Sequence, residues 1–333
     1  MRAMRMRWAW AVALAISAPT NASAGERLSI MVGGIEKIIY LPAKLAEQLG
    51  YFSDEGLEVE LQSERSGVHA EDELLSGSVH GVVGFYDHTI DLQAKGKAVM
   101  SVVQFSQAPG EVELVSARDA EGTHSIADLA GKNLGVTGLG SSTHFLSQYL
   151  AVAAGLKLNQ VNFIPVGTGD TFINAMRQGS ISAGMTTEPT VSRLLKSGEA
   201  RILVDLRTPE GTQQALGGLY PAACLYMQSA WVNRNKPQVQ KLVNALVRAL
   251  KYIQMHSASE IASQLPGEFY AGDKSDYVKA LANGKAMFIP DGRMPAAGPA
   301  TVLRVLSRFD RNVQGKSIDL SRTFTLEFVA AVK

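Results

Sequence analysis

Between Ser125 and Pro189 three short apolar runs, Asn133–Val136, Val161–Val166 and Ile181–Met185, alternate with two amphipathic segments, Ser142–Ala154 and Thr171–Gln178. Runs of that length suit strands and the longer segments suit helices, so the stretch predicts βαβ units in a mostly parallel sheet. Each run ends in small polar residues that open the next helix: Gly138-Leu-Gly-Ser-Ser-Thr143, Gly167-Thr-Gly-Asp-Thr171 and Thr186-Thr-Glu-Pro189. The first N–H groups of a helix lack partners inside it and lie at the positive end of its dipole. In open α/β sheets ligands collect at that carboxyl edge. The stretch therefore reads as half of a small-molecule cleft.

The rest of the chain repeats the pattern. Arg27–Val32, Leu57–Gln62, Val79–Phe85 and Ala98–Phe105 are predicted strands, separated by helices around Leu41–Leu49, Glu71–Ser76 and Thr89–Ala94. Gln104–Gly110 breaks the alternation, and a new sheet begins at Glu113–Arg118. Arg201–Leu206 and Ala222–Gln228 are further strands, with a Gly- and Pro-rich segment, Thr208–Pro221, between them. Gln238–His256 places Val239, Leu242, Val243, Leu246, Leu250 and Ile253 on one helical face, which must dock on a core.

Residues 1–24 read as a targeting segment rather than as part of the fold. Arg2, Arg5 and Arg7 precede the apolar Trp8–Ala18, which is too short to span a bilayer, and Ala22-Ser-Ala24 supplies a small-residue cleavage site before Gly25. Losing three arginines from a formal net charge of +1 leaves the mature chain near −2, which is no footprint for nucleic acid. Cys224, the single cysteine, lies in an apolar run, so neither an internal disulfide nor a lipid anchor at the new N-terminus is expected. Export without an anchor or a disulfide points to the periplasm.

The runs YLPAKLAEQLGYFSDEGLEVEL, ELLSGSVHGVVG and SIADLAGKNLGV, followed by the Gly-Ser-Ser-Thr loop and AMRQGSISAGMTTEP, carry a family resemblance. In order and over most of residues 27–250 they resemble the NMT1-like periplasmic substrate-binding proteins of nitrate, sulfonate, taurine and thiamine-precursor uptake systems. The resemblance implies an α/β, two-lobe type II periplasmic-binding-protein fold, with the ligand in a cleft between lobes joined by two crossover strands. On that plan residues 25–108 are the first part of lobe 1, 109–228 are lobe 2, and 229–333 complete lobe 1. The implied partners are a small-molecule ligand and an ABC permease with its ATPase, the receptor acting as a monomer without a cofactor.

Candidate ligand contacts then fall at facing strand tips. From lobe 2 they are Gly140, Ser141, Ser142 and Thr143, with Thr186 and Glu188; the small residues let a backbone approach a ligand, and the hydroxyls can cap the helix instead. Lobe 1 offers Ser66, Gly67, Phe85, Tyr86 and His88, with Asp87 between them read as a helix cap. Lys37 is the one cation near a first-lobe strand end, and Tyr220 beside the return crossover could close over the gap. Helix-end donors, a lysine and aromatic surface favour a small organic anion, a sulfonate or carboxylate. A pyrimidine-type thiamine precursor is the alternative, followed by an exported enzyme or a sensor's input domain on the same fold.

Enzyme readings find little support in the residues. The six histidines form neither His-x-His nor His-Glu-x-x-His, and no Gly-x-Ser-x-Gly elbow occurs. Gly138-Leu-Gly140 lacks the third glycine of a dinucleotide fingerprint, having Thr143 there. Binding without catalysis is the expectation.

Overall fold

The computed structural model describes residues 26–270 and 272–332; the targeting segment read over 1–24 lies outside them. Four strands follow one another at the start: β1 (Glu26–Val32), β2 (Leu57–Ser63), β3 (Gly81–Phe85) and β4 (Val99–Gln104). Next come β5 (Glu111–Ser116), β6 (Asn133–Val136), β7 (Asn162–Pro165), β8 (Ala183–Thr187) and β9 (Ala200–Asp205), and last β10 (Ala223–Gln228). They form two five-stranded sheets, ordered β2-β1-β3-β10-β4 and β7-β6-β8-β5-β9. β10 is antiparallel to β3 and β4, and β5 to β8 and β9, so each sheet contains one reversed strand.

Those reversed strands are the ones that enter from the crossovers. β10, which the sequence reading places in lobe 2, pairs in the first sheet; the return is made before Ala223, not after Gln228. The two crossovers lie side by side. Gly110 donates to the Leu206 carbonyl at 3.0 Å, Tyr220 to that of Gln107 at 3.1 Å, and Phe105 to that of Ala223 at 2.7 Å. The lobes are thus joined by a hydrogen-bonded ribbon.

The helices that matter for the site are α1 (Leu41–Gln48), α2 (Gly67–Ser76), α3 (Asp87–Ala94), α4 (Ser142–Ala153), α5 (Asp170–Gln178), α6 (Thr190–Lys196), α7 (Pro209–Leu216) and α8 (Lys236–Met255). The apolar face foreseen on α8 is buried, Val239, Leu242, Val243, Leu246, Leu250 and Ile253 included, each contributing roughly 1.5–3 kcal/mol as it leaves water. The Gly- and Pro-rich segment Thr208–Pro221, to which the sequence analysis assigns no element, contains α7. Its signals are local: the Thr208 hydroxyl accepts from Gly211 N–H, Pro209 occupies the first turn, and Gly217 ends the helix with a positive φ. Among the described residues no helix is long and apolar enough to cross a membrane.

Candidate functional site

The carboxyl ends of β1 and β3 face the N-terminal end of α4 and the end of β8 across the seam between the lobes. There a void of about 10 Å³ is lined by Lys37, Tyr40, Gly67, Phe85 and His88 from lobe 1. Glu111, Thr137, Ser141, Ser142, Thr143 and Thr187 line it from lobe 2. That space suits one water, so the walls have closed on each other.

Small residues permit the closure. A Cβ at Gly138 would stand 2.8 Å from the Ser66 hydroxyl, and one at Gly67 would stand 2.7 Å from His88 Cε1. Polar bonds then cross the seam. Ser142 Oγ donates to Asp87 Oδ1 at 2.8 Å, Tyr220 OH donates to Asp87 Oδ2 at 2.8 Å, and Ile38 N–H donates to the Glu188 carbonyl at 3.1 Å. Asp87 therefore does not cap α3; its carboxyl, fully buried, is the knot between lobe 2, the return crossover and lobe 1. Burial pushes its pKa up, and the bonds from Ser142 and Tyr220 oppose that shift.

Several polar atoms at the void have no protein partner. Among the described residues these include His88 Nε2, Glu111 Oε2 and Thr187 Oγ1, all from wall residues. Lys37 uses one hydrogen on the Gly33 carbonyl at 2.6 Å. It lines the void with Glu111 yet makes no ion-pair contact with it. Burial lowers the lysine's pKa, whereas burial, followed by the charge of Asp87, raises that of Glu111 well above the usual carboxylate range. Leaving such groups unpaired in a buried place costs about 1–3 kcal/mol each, so the arrangement asks for a guest that both donates and accepts.

The residues singled out from the sequence divide into three groups. Lys37, Gly67, Phe85, His88, Ser141, Ser142 and Thr143 come together on the void. The hydroxyls of Ser141 and Thr143 are engaged with Thr137 at 3.0 and 2.9 Å, holding the loop in shape. On α4 the main-chain N–H groups of Ser142 and Thr143 have no acceptor among the described residues. Ser66 is not on the void; it touches the Gly138 loop across the seam, and its hydroxyl meets His69 Nδ1 at 3.2 Å.

Others are drawn elsewhere. Tyr86 is not on the void: its hydroxyl pairs with Thr323 and its ring meets Phe324 edge-on. Gly140 lies against Val68, away from the void. Glu188 is fully engaged, accepting from Ser192 N–H at 2.9 Å, Ser192 Oγ at 3.0 Å and Arg207 Nη1 at 2.7 Å. Thr186 points to the opposite face of β8 from Thr187, and Tyr220 acts through Asp87 rather than on the void itself.

Two acids escaped the sequence reading. Glu111 and Glu113 point to the same face of β5, two residues apart. Glu113 is buried behind the void, bonded to Ser147 Oγ at 2.6 Å, and burial pushes its pKa up to about 8. An alternation of Glu with Val and Leu was the available signal, since it ordinarily marks a strand with one face in water. Here α4 covers that face.

With this geometry in place, comparison with known proteins is informative. The NMT1/THI5-like family model matches residues 40–259. A solved structure from Bordetella bronchiseptica RB50 is 37% identical, with a TM-score of 0.89, covering 92% of this chain and 96% of its own. The alkanesulfonate-binding protein SsuA from Xanthomonas axonopodis pv. citri, solved bound to MOPS, is 18% identical, with a TM-score of 0.74, covering 91% of this chain and 99% of its own. The putative binding protein YtlA of Bacillus subtilis is 25% identical over 237 residues, 70% of this chain and 68% of YtlA. The chain belongs to the NMT1/THI5-like family and carries the two-lobed periplasmic-binding-protein fold.

Proposed function

We propose that this protein is a periplasmic receptor that captures a small organic solute between its lobes and hands it to an ABC permease with its ATPase. It works as a monomer, without chemistry on the solute. The observation that carries this reading is the convergence of unpaired buried groups from both lobes, His88, Glu111 and Thr187, on one enclosed void beside Lys37. A solute of organic size enters only when the lobes are apart. By bridging them it favours a closed form whose walls stand further apart than here, where the void admits one water.

The solute's chemistry follows from the walls. Lys37 and the α4 amides favour an acceptor, as expected of an organic anion. Asp87 is already occupied by Ser142 and Tyr220, whereas Glu111, whose pKa burial raises well above the usual range, can donate as well as accept. Lys37 as donor and Glu111 as donor and acceptor, on one void and not bonded to each other, support a head group with both functions, an amide or a ring amide of the pyrimidine kind. Tyr40 and Phe85 supply surface on which such a head can pack. Isothermal titration of the purified protein with alkanesulfonates, carboxylates, primary amides and pyrimidinones tests this. Amides or pyrimidinones should bind, weakening about tenfold in Glu111→Leu, the order of one buried hydrogen bond. Binding of alkanesulfonates or nitrate alone, unaffected by that substitution, refutes it.

A further inference from the structure

Beside the closed void, at the mouth of the cleft, lies a groove of about 380 Å³ whose walls come from both lobes. Thr137 lines both spaces, so the groove begins one residue away from the void. Its walls are apolar: Val68 from lobe 1, and Leu139, Pro165 and Val166 from lobe 2. Leu139 is 53% exposed, one of only three large hydrophobic side chains left open among the described residues.

The electrostatics of the groove are one-sided. Arg65 and His69 line it, and no carboxylate does. Arg65 makes no ion pair among the described residues; His69 keeps its place through Ser66. On the other flank of the cleft a groove of about 370 Å³ has the reverse character, with Glu36, Asp170 and Glu268 against Arg193, which Asp170 already pairs. Of the two grooves, the positively charged one shares Thr137 with the void and is the one that suits an acidic tail.

From these observations we infer that the solute is elongated: its donor-and-acceptor head occupies the void, and an apolar tail runs along Val68, Leu139, Pro165 and Val166 to an acidic group met by Arg65. The inference rests on the receptor reading above and adds the second half of the molecule. It also gives the negative charge expected from the sequence a place, on the tail rather than the head. A guanidinium is suited to a carboxylate or sulfonate through its paired N–H groups, and leucine and valine surface rewards methylenes at about 0.8 kcal/mol each when buried.

Three probes share an amide head: adipamic acid, suberamic acid and the uncharged octanamide. Their affinities are measured by isothermal titration on the full mature chain, the wild type beside Arg65→Glu and Leu139→Ser. Suberamic acid is expected to bind the wild type at least tenfold more tightly than octanamide. Arg65→Glu should abolish that advantage while leaving octanamide unchanged, and Leu139→Ser should weaken suberamic acid more than adipamic acid. Equal binding of suberamic acid and octanamide, or an advantage that survives Arg65→Glu, overturns the tail assignment and leaves the head group standing. Failure of all three amides to bind the wild type overturns both.

Discussion

Glu113 offers a test of the second lobe's interior that needs no ligand. Its carboxyl is buried under α4, with a single donor, Ser147 Oγ, on one oxygen and none on the other. Its pKa stands at about 8, against 4.5 for an ordinary glutamate. The folded protein therefore keeps this proton over a range in which the unfolded chain has lost it, so its contribution to stability falls as pH rises from about 4.5 to about 8. With one pKa unit equal to about 1.4 kcal/mol, the loss is about 1 kcal/mol at pH 5 and about 4 kcal/mol at pH 7.5. Glu113→Gln keeps the shape and an acceptor for Ser147 but cannot ionise. Glu71 and Asp87 are also raised and act alike in both proteins, and Glu113 is the smallest of the causes that raise Glu111, so the difference between wild type and variant reports chiefly Glu113. Urea unfolding at pH 5 and pH 7.5 should show the variant gaining about 3 kcal/mol on the wild type between the two. Parallel stability curves, differing in change by less than about 1 kcal/mol, would show that Glu113 is ionised in the folded protein and sink the reasoning.

Three further outcomes follow from the seam and the core. Gly138→Val drives a side chain into Ser66, where a Cβ already stands at 2.8 Å, so X-ray scattering of the variant should report a larger radius of gyration than wild type while urea unfolding is little changed. Ser142→Ala removes the donor that links α4 to Asp87 across the lobes, a charge-assisted bond of about 1.5–3 kcal/mol, and fluorescence transfer between dyes on the two lobes should shift toward the open form. An unchanged distance distribution would mean that the bond is not needed to hold the lobes shut. Leu246→Ala, at the centre of the buried face of α8, should cost about 2–5 kcal/mol in urea unfolding without altering the scattering profile.

The fold was legible because its signals are local. Apolar runs such as Asn133–Val136 and the one-sided face of α8 follow from the period of a strand or helix, and both lie where the pattern puts them. The segment around α7 is described from the sequence only by its glycines and prolines, although Thr208, Pro209 and Gly217 mark a helix start and stop. The site was legible in part, for a different reason. Strand-tip position brings Lys37, Gly67, His88 and Ser141–Thr143 to the void, and position can be read from order along the chain. What a hydroxyl or carboxylate bonds to cannot. Tyr86 is claimed by Thr323, 237 residues away, and Asp87 by Ser142 and Tyr220, 55 and 133 residues away. Glu111 draws no attention in the sequence because nothing nearby announces the helix that covers its face of the strand.

The position of β10 inside the first sheet fixes the order in which the molecule can be completed. All strands of the second sheet lie between Glu111 and Asp205, an uninterrupted piece of chain. The first sheet stays split, with β3 and β4 lacking the strand that lies between them, until Ala223–Gln228 arrives. As the chain emerges from its N-terminus, the later-born lobe is the first able to finish its sheet, and the earlier-born one waits for it. The mouth of the receptor is therefore built last, when the returning strand seals the lobe that was begun first.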